Sequence, residues 1–354
     1  MIVKSDGASL LGSCPLPLIE SKEILLGHGS GGKLTAELIE KIFLPAFRNS
    51  YLDKLNDQAV LDVNGARLAF TTDSFVVTPM FFPGGDIGTL AVNGTVNDLA
   101  MSGAKPLFLS AGFILEEGCP IADLQRIVRS MHEACEAAGV LLVTGDTKVV
   151  NRGSGDKVFI NTSGIGVLAY DVQISADRAQ PGDLILLSGT IADHGMAVMS
   201  TREGLELDSQ MLSDTAPLHE LVAAMLDASR EIHCLRDPTR GGIAGTLNEL
   251  AKQSHVGMTV EESAIPIKEN VKGLCEILGI DPLYVANEGK LVAVVARDVA
   301  DALLTRMQSL PNGRDARIIG EVVADHPGMV VMKTKIGGTR IVDLMMGEQL
   351  PRIC

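Results

Sequence analysis

Tryptophan is absent from these 354 residues, and aromatic side chains make up only 3% of them. The cores must therefore be built from Leu, Ile, Val, Ala and Met. Cysteine is sparse as well, with six residues at positions 14, 119, 135, 234, 275 and 354 and no C-x-x-C pair. That scatter excludes a zinc ribbon, argues against a disulfide framework and predicts a reducing, cytoplasmic setting. Cationic residues are outnumbered, 30 Lys and Arg against 44 Asp and Glu, for a net charge of −14. Such a surface does not suit nucleic acid. An acidic chain still binds a nucleotide when a divalent cation bridges carboxylates to phosphates. No apolar run reaches 18 residues, so no membrane span is expected, and the first twenty residues lack the basic-then-apolar pattern of a signal peptide.

What is plentiful is glycine, 37 residues, within a chain that is 46% hydrophobic and 21% charged. The length suits two domains of ordinary size. Residues 1–20 read as an irregular extension. Strand patterns at 24–27, 67–72, 107–114, 140–144 and 158–168 alternate with helical stretches near 34–47, 88–102 and 123–138. The last carries an apolar stripe of Leu124, Ile127, Val128, Met131, Cys135 and Ala138, which places Cys135 in a core, and closes at Gly139. The pattern resets around 171–182, and a second set of strands and helices runs to about Val323. These features predict a mixed α/β, α+β protein with an N-terminal domain over 21–170 and a C-terminal domain over 171–325. A tail over 326–354 follows. In it, 330–336 and 339–345 form a hairpin about a two-residue turn at Gly337-Gly338, and Gly347 is the expected pivot of a terminal arm.

Gly27-His28-Gly29-Ser30-Gly31-Gly32-Lys33 fits two phosphate-binding patterns loosely and neither fully. Leu34 stands where a P-loop needs a hydroxyl, and Asp53, the acid for a dinucleotide site, does not follow a strand. What remains is a run of small residues offering backbone N–H groups to an anion at a helix start, or simply a glycine turn. Oxygen-bearing side chains recur where elements end. Asp73 closes an apolar strand, Asp146 follows a strand that breaks at Gly145, and Asp57 and Asp237 sit in loops. Asn93, Asn97 and Asp98 lie within an otherwise apolar helix. Together they form a plausible set of hard ligands for Mg²⁺. The chain closes on Pro351-Arg352-Ile353-Cys354, a thiol at the tip of a stiffened segment, expected to move between sites. Residues two apart on an extended arm share a side, so Arg352 is expected to offset the repulsion of the α-carboxylate on the Cys354 thiolate.

These motifs resemble the superfamily of aminoimidazole ribonucleotide synthetase, selenophosphate synthetase and thiamine-monophosphate kinase. Within it, Pro351–Cys354, His28–Gly32, Thr144-Gly-Asp-Thr-Lys148 and Asn287-Glu-Gly-Lys290 are similar to the HypE family of hydrogenase maturation proteins, from about Gly27 onward. The resemblance implies a two-domain PurM-like fold and a homodimer joined through the N-terminal sheets, with ATP bound where those halves meet. It implies that Cys354 is carbamoylated by a partner carbamoyltransferase, HypF. The thiol-bound carboxamide is then dehydrated with ATP to a thiocyanate, whose cyanide goes to the HypC–HypD iron-ligand scaffold complex for a [NiFe]-hydrogenase. On the same footing, His28, Gly29, Ser30, Gly31, Gly32, Lys33, Asn97, Thr147 and Arg240 would bind ATP. Asp57, Asp73, Asp98, Asp146 and Asp237 would bind Mg²⁺, and Lys148 and Glu288 would surround the thiol, Glu288 as base. Without the resemblance, Glu288 and Lys290 read as a solvated loop. A relative acting on a free small molecule, as selenophosphate synthetases do, would carry its reactive Cys near the glycine-rich loop; Gly27–Lys33 has none.

Overall fold

The computed structural model describes residues 23–205, 211–345 and 353. Where residues 24–27 read as a strand, Leu26–Gly29 forms a 3-10 turn. The Leu25 N–H donates to His28 Nδ1 at 2.9 Å and the His28 N–H to Leu25 O at 3.0 Å, so local bonds replace strand pairing. Helix α1 (Lys33–Leu38) then runs through a π turn at Ile39–Phe43 into α2 (Leu44–Phe47). Pro45 has no N–H to continue the α ladder, which accounts for the widened turn before it.

The first half continues as β1 (Ala59–Val63), β2 (Ala66–Phe75), β3 (Phe81–Phe82), β4 (Gly85–Asp86), α3 (Ile87–Ala100), β5 (Lys105–Glu116), α4 (Ile121–Ala138), β6 (Leu141–Val150) and β7 (Val158–Val167). Five strands form a sheet in the order β1-β2-β7-β5-β6, with β5 and β6 parallel across the α4 crossover. Alternation along β2 and β7 turns one face onto α3 and leaves Phe70 and Ile165 exposed on the other. Both Asp73 and Asp146 were expected where strands end. Instead β2 runs on to Phe75, and β6 passes through Gly145 to Val150 with a register shift beside Leu109. Gly145 serves the pairing, because a Cβ there would lie 2.5 Å from Ala111 O. On α4 the stripe holds at Ile127, Met131, Cys135 and Ala138, but Val128 is exposed and Ala134 takes its place.

The second half comprises β8 (Leu184–Leu187), α5 (Asp193–Arg202), α6 (His219–Ala228), β9 (Ile232–Arg236), α7 (Gly242–Ser254), β10 (Gly257–Glu261), α8 (Glu269–Leu278), β11 (Val292–Val295), α9 (Ala300–Gln308), β12 (Arg317–Val323), β13 (Val330–Lys333) and β14 (Thr339–Val342). Its seven-stranded sheet runs β14-β13-β10-β12-β8-β11-β9. The hairpin therefore belongs to this sheet, β13 pairing in parallel with β10. It closes through five residues, 334–338, held by Thr334 N–H to Gly338 O at 2.8 Å, rather than through the expected two-residue turn. Only Gly337 of the glycine pair has positive φ.

The two halves share packing. Val198 of α5, Ala286 and Ile353 lie in the first half's core, and Ala100 and Met101 lie in a core of the second. Helix α3 is buried around nearly all its circumference, so its capping matters. Asp86 caps it, accepting from Gly88 N–H and Thr89 N–H, and its other oxygen accepts from Ser130 Oγ on α4. Asp86→Ala removes a cap and strands these donors. It should cost about 2 kcal/mol, read as a lower urea midpoint at unchanged slope. A loss well below about 0.5 kcal/mol would mean the cap is dispensable.

Candidate active site

Four carboxylates converge on the seam between the halves. Asp57 precedes β1, Asp73 lies near the end of β2, Asp98 sits on the last turn of α3 and Asp237 follows β9. Oxygens of Asp57, Asp98 and Asp237 all fall within 4.8 Å of one another. Asp73 and Glu288 line the same cavity of about 380 Å³, together with Thr72, Ser74, Thr239 and Arg240. Arg236 Nε contacts Asp57 Oδ1 at 2.9 Å, its Nη2 reaches Glu249 Oε2 at 2.9 Å, and Arg240 Nη2 stands 3.8 Å from Asp73 Oδ1. Thr71 Oγ1 lies 2.8 Å from Asp98 Oδ2.

Crowding and burial raise these acids. Burial pushes Asp57 up to about 6 against the opposing Arg236, and pushes Asp237 up to about 8, with Asp57 adding repulsion. Asp98 is held well above the carboxylate range by burial and then by Asp237, Asp57 and Asp73. Asp73 is raised by burial and relieved in part by Arg240. So much negative charge in a low-dielectric cavity is costly unless protons or a cation compensate it. The donors are all hard carboxylate oxygens, which fit Mg²⁺ and not a soft metal. Asp57, Asp98 and Asp237, with Asp73 beside them, are the residues that would hold it.

Glu288 was open to reading as part of a solvated loop. It is instead 2% exposed, and its Oε1 has no hydrogen-bond partner among the described residues. Burial, then repulsion from Asp237, Asp214 and Asp73, raises its pKa well above the ordinary value, with Arg240 opposing. The Glu288 N–H donates to Asp214 Oδ1 at 3.1 Å, and Lys290 Nζ pairs with Asp214 Oδ2 at 3.2 Å. Asn287 holds the neighbouring backbone, its Oδ1 accepting from Ala192 N–H and its Nδ2 donating to Pro238 O. Asp214 belongs to a segment that also carries Ser213, whose Oγ lies 2.9 Å from His194 Nδ1. His194 Nε2 lies 2.8 Å from the carbonyl oxygen of Ile353, which is 4% exposed.

Other expected residues are placed differently. Asn97 is no free ligand. Its Nδ2 donates to Ala216 O and Glu288 O, and its Oδ1 accepts from Leu218 N–H, so the amide joins the halves. Asp146, Thr147 and Lys148 sit on exposed β6, away from the acid cluster, with Lys148 Nζ 2.9 Å from Asp146 Oδ2. The glycine-rich loop is packed against its own chain. A Cβ on Gly31 would lie 2.7 Å from Arg240 O, and one on Gly32 2.5 Å from Met345 O. Gly31 N–H donates to Thr35 Oγ1, Ser30 Oγ donates to Gly27 O, His28 caps the 3-10 turn, and no described residue lies within 4 Å of a Cβ placed on Gly29. Lys33 Nζ pairs with Asp343 at 2.7 Å. Cys354, Arg352, Gly347 and residues 1–20 lie outside the described residues. Sequence reasoning missed Thr71, His194, Asp214 and Arg236; of these only Arg236 carried a signal, standing next to Asp237.

Residues 55–168 match the family described as AIR synthase related protein, N-terminal domain, and residues 180–333 match its C-terminal domain. The carbamoyl dehydratase HypE of Azotobacter vinelandii is 58% identical over 327 residues, covering 92% of this chain and 96% of that protein. A crystal structure of a HypE–HypF complex superposes with a TM-score of 0.83 at 54% identity, covering 87% of this chain and 99% of the other. A HypE structure in complex with ATP gives 0.79 at 50% identity, covering 94% and 100%. The thiamine monophosphate kinase of Aquifex aeolicus, at 18% identity and a TM-score of 0.62, shares the fold alone. With its acid cluster and buried Glu288 set at the seam of two AIR-synthase-type domains, the chain belongs to the HypE family.

Proposed function

We propose that the chain is a carbamoyl dehydratase, which converts the S-carbamoylated thiol of Cys354 to a thiocyanate at the expense of ATP. The observation that carries this reading is Glu288, a buried carboxylate that lines an acid-rich cavity with one oxygen unpartnered among the described residues, linked through Asp214, Ser213 and His194 to the residue preceding Cys354. The carboxamide oxygen is a poor leaving group. Transfer of the γ-phosphoryl to it makes it phosphate, and loss of the nitrogen's protons with that phosphate leaves the C≡N triple bond. The products are thiocyanate, ADP, phosphate and a proton.

Glu288 is the base for those protons, and its raised pKa strengthens it for the task. Asp214 fixes its backbone through the N–H bond, and Asn97 fixes its carbonyl. Arg240, which lines the acid cavity, would offset phosphate charge. Asp57, Asp73, Asp98 and Asp237 would hold Mg²⁺, which when bound neutralises charge on the phosphates. Without a cation, burial and mutual repulsion favour the protonated forms of these acids.

A homodimer completes the reading. Strand β6 ends the first sheet and exposes Leu141, Val143 and Val149 at 64%, 59% and 67%, while Phe70, Phe108 and Ile165 lie open on the neighbouring strands. An apolar edge and face of this kind suits a self-complementary interface. It would carry Asp146, Thr147 and Lys148 of the partner subunit toward the phosphates and the thiol. The carbamoyl donor is a HypF-type carbamoyltransferase and the cyanide acceptor a HypC–HypD-type scaffold. A relative of selenophosphate type would keep its turnover without Cys354; this chain would lose it.

Glu288→Gln keeps the size and removes the base. Carbamoylated protein given Mg-ATP should lose about 18 Da by mass spectrometry, and the variant should do so slower by roughly 10²–10⁴-fold with ATP still bound. An unchanged rate would remove Glu288 from the chemistry. The raised carboxylates give a second expectation. Their folded-state pKa values lie above the unfolded ones, so their stabilising protons are held at low pH and lost as pH rises through about 6 and about 8. Mg²⁺ should therefore raise the melting temperature more near about pH 8.5 than near about pH 6, with EDTA reversing it. An equal shift at both would show that no cation replaces those protons. Leu141→Glu with Val149→Glu should give monomers in sedimentation and cut ATP turnover at least about tenfold. A persistent dimer, or a fully active monomer, would contradict the interface.

A further inference from the structure

We infer that His194 is a latch on Cys354: its Nε2–H grips the peptide carbonyl bonded directly to that residue, and Ser213 fixes the tautomer that makes the grip. The inference rests on the dehydratase reading for its purpose, but its geometry stands apart from it. His194 is wholly buried at the start of α5. Its two ring nitrogens face partners of opposite need. The Ile353 carbonyl, 2.8 Å from Nε2, can only accept. Ser213 Oγ, 2.9 Å from Nδ1, already accepts the Thr215 N–H at 3.1 Å, which leaves its hydrogen to donate to Nδ1. Both ends are satisfied by the neutral ring protonated at Nε2, and no other neutral arrangement satisfies them.

Packing reinforces the bond. The Phe82 ring meets the imidazole edge-on, with centroids 5.4 Å apart. The Ile353 side chain is plugged into the first half's core beside Val198 and Ala286. A carbonyl gripped here lies one bond from the Cys354 nitrogen. The segment that holds His194 also holds Glu288, through the consecutive residues Ser213 and Asp214. His194 touches neither substrate nor reacting atoms in this arrangement; it positions them.

Two half-reactions make opposite demands on the thiol. Carbamoylation by another protein needs it reachable, and dehydration needs it seated. Weakening the latch should therefore speed the first and slow the second, a pattern that loss of fold does not produce. The test uses the full chain. Iodoacetamide alkylation of Cys354 is timed by peptide mass mapping, and single-turnover dehydration of carbamoylated protein with Mg-ATP is timed by intact mass. His194→Phe keeps the ring against Phe82 but has no N–H. Its Cys354 should label about tenfold faster and dehydrate about tenfold slower. His194→Gln, which can present an N–H near the Nε2 position, should restore most of both, and Ser213→Ala should fall between.

If His194→Phe labels at the wild-type rate, or the Gln variant behaves like the Phe variant, the latch is overturned. Should His194→Phe fail to fold, Ser213→Ala decides by the same two clocks. Alkylation needs neither ATP nor carbamoylation. A wild-type chain that never dehydrates but whose labelling responds to His194 would sink the dehydratase reading and keep the latch. Normal dehydration with unresponsive labelling would do the reverse.

Discussion

Burying several carboxylates with oxygens within 4.8 Å of one another is the constraint around which this structure is arranged. Asp57, Asp98 and Asp237 cannot all be ionised in so small a volume without a counter-charge, and Asp73 and Glu288 add to the field. Arg236 offsets only part of it, because it is shared between Asp57 and Glu249. The remainder is a standing demand for protons or a cation. Asp57, Asp73 and Asp98 come from the first half and Asp237 and Glu288 from the second, so the full demand exists only when both halves are folded together. The seam is thus where the fold is least self-sufficient and most ready for a charged ligand.

One short stretch, 213–218, converts that seam into an ordered site. Ser213 binds His194, Asp214 binds the Glu288 N–H and pairs with Lys290, Thr215 accepts from Asn93, and Ala216 and Leu218 engage Asn97. Gly289 packs so closely on this stretch that a Cβ would lie 1.8 Å from Asp214 O. Asn93 and Asn97, which look misplaced in a buried helix, bond the Thr215 hydroxyl and the backbone of the other half. Glu288, the proposed base, and the docking point of Ile353 are therefore braced by one network rather than by separate supports.

The sequence made the acid cluster and most elements legible, because strand and helix periods are local and a carboxylate in an apolar context stands out; Glu288 was singled out by the family resemblance alone. Its failures have physical causes. Asp146 and Asp73 were read as strand-end residues because glycine and small polar residues usually interrupt strands, yet here Gly145 permits close pairing and β2 continues. Asn97 was read as a ligand because it is polar within an otherwise apolar helix; only the other half of the chain reveals what its amide is bonded to. His194 carried no signal, since its partners lie 19 and 159 residues away in sequence. The glycine-rich loop was read for what it offers a ligand, whereas its glycines also let Arg240 and Met345 approach.

The central claim is that the sulfur-bound carboxamide is delivered to Glu288 at this seam. The most direct measurement is a structure of the S-carbamoylated protein with Mg²⁺ and a non-hydrolysable ATP analogue. The account predicts the carbamoyl nitrogen about 3 Å from a Glu288 oxygen, with the γ-phosphate facing the carbamoyl oxygen. A carbamoyl group seated elsewhere, with Glu288 bonded only to protein or water, would contradict it.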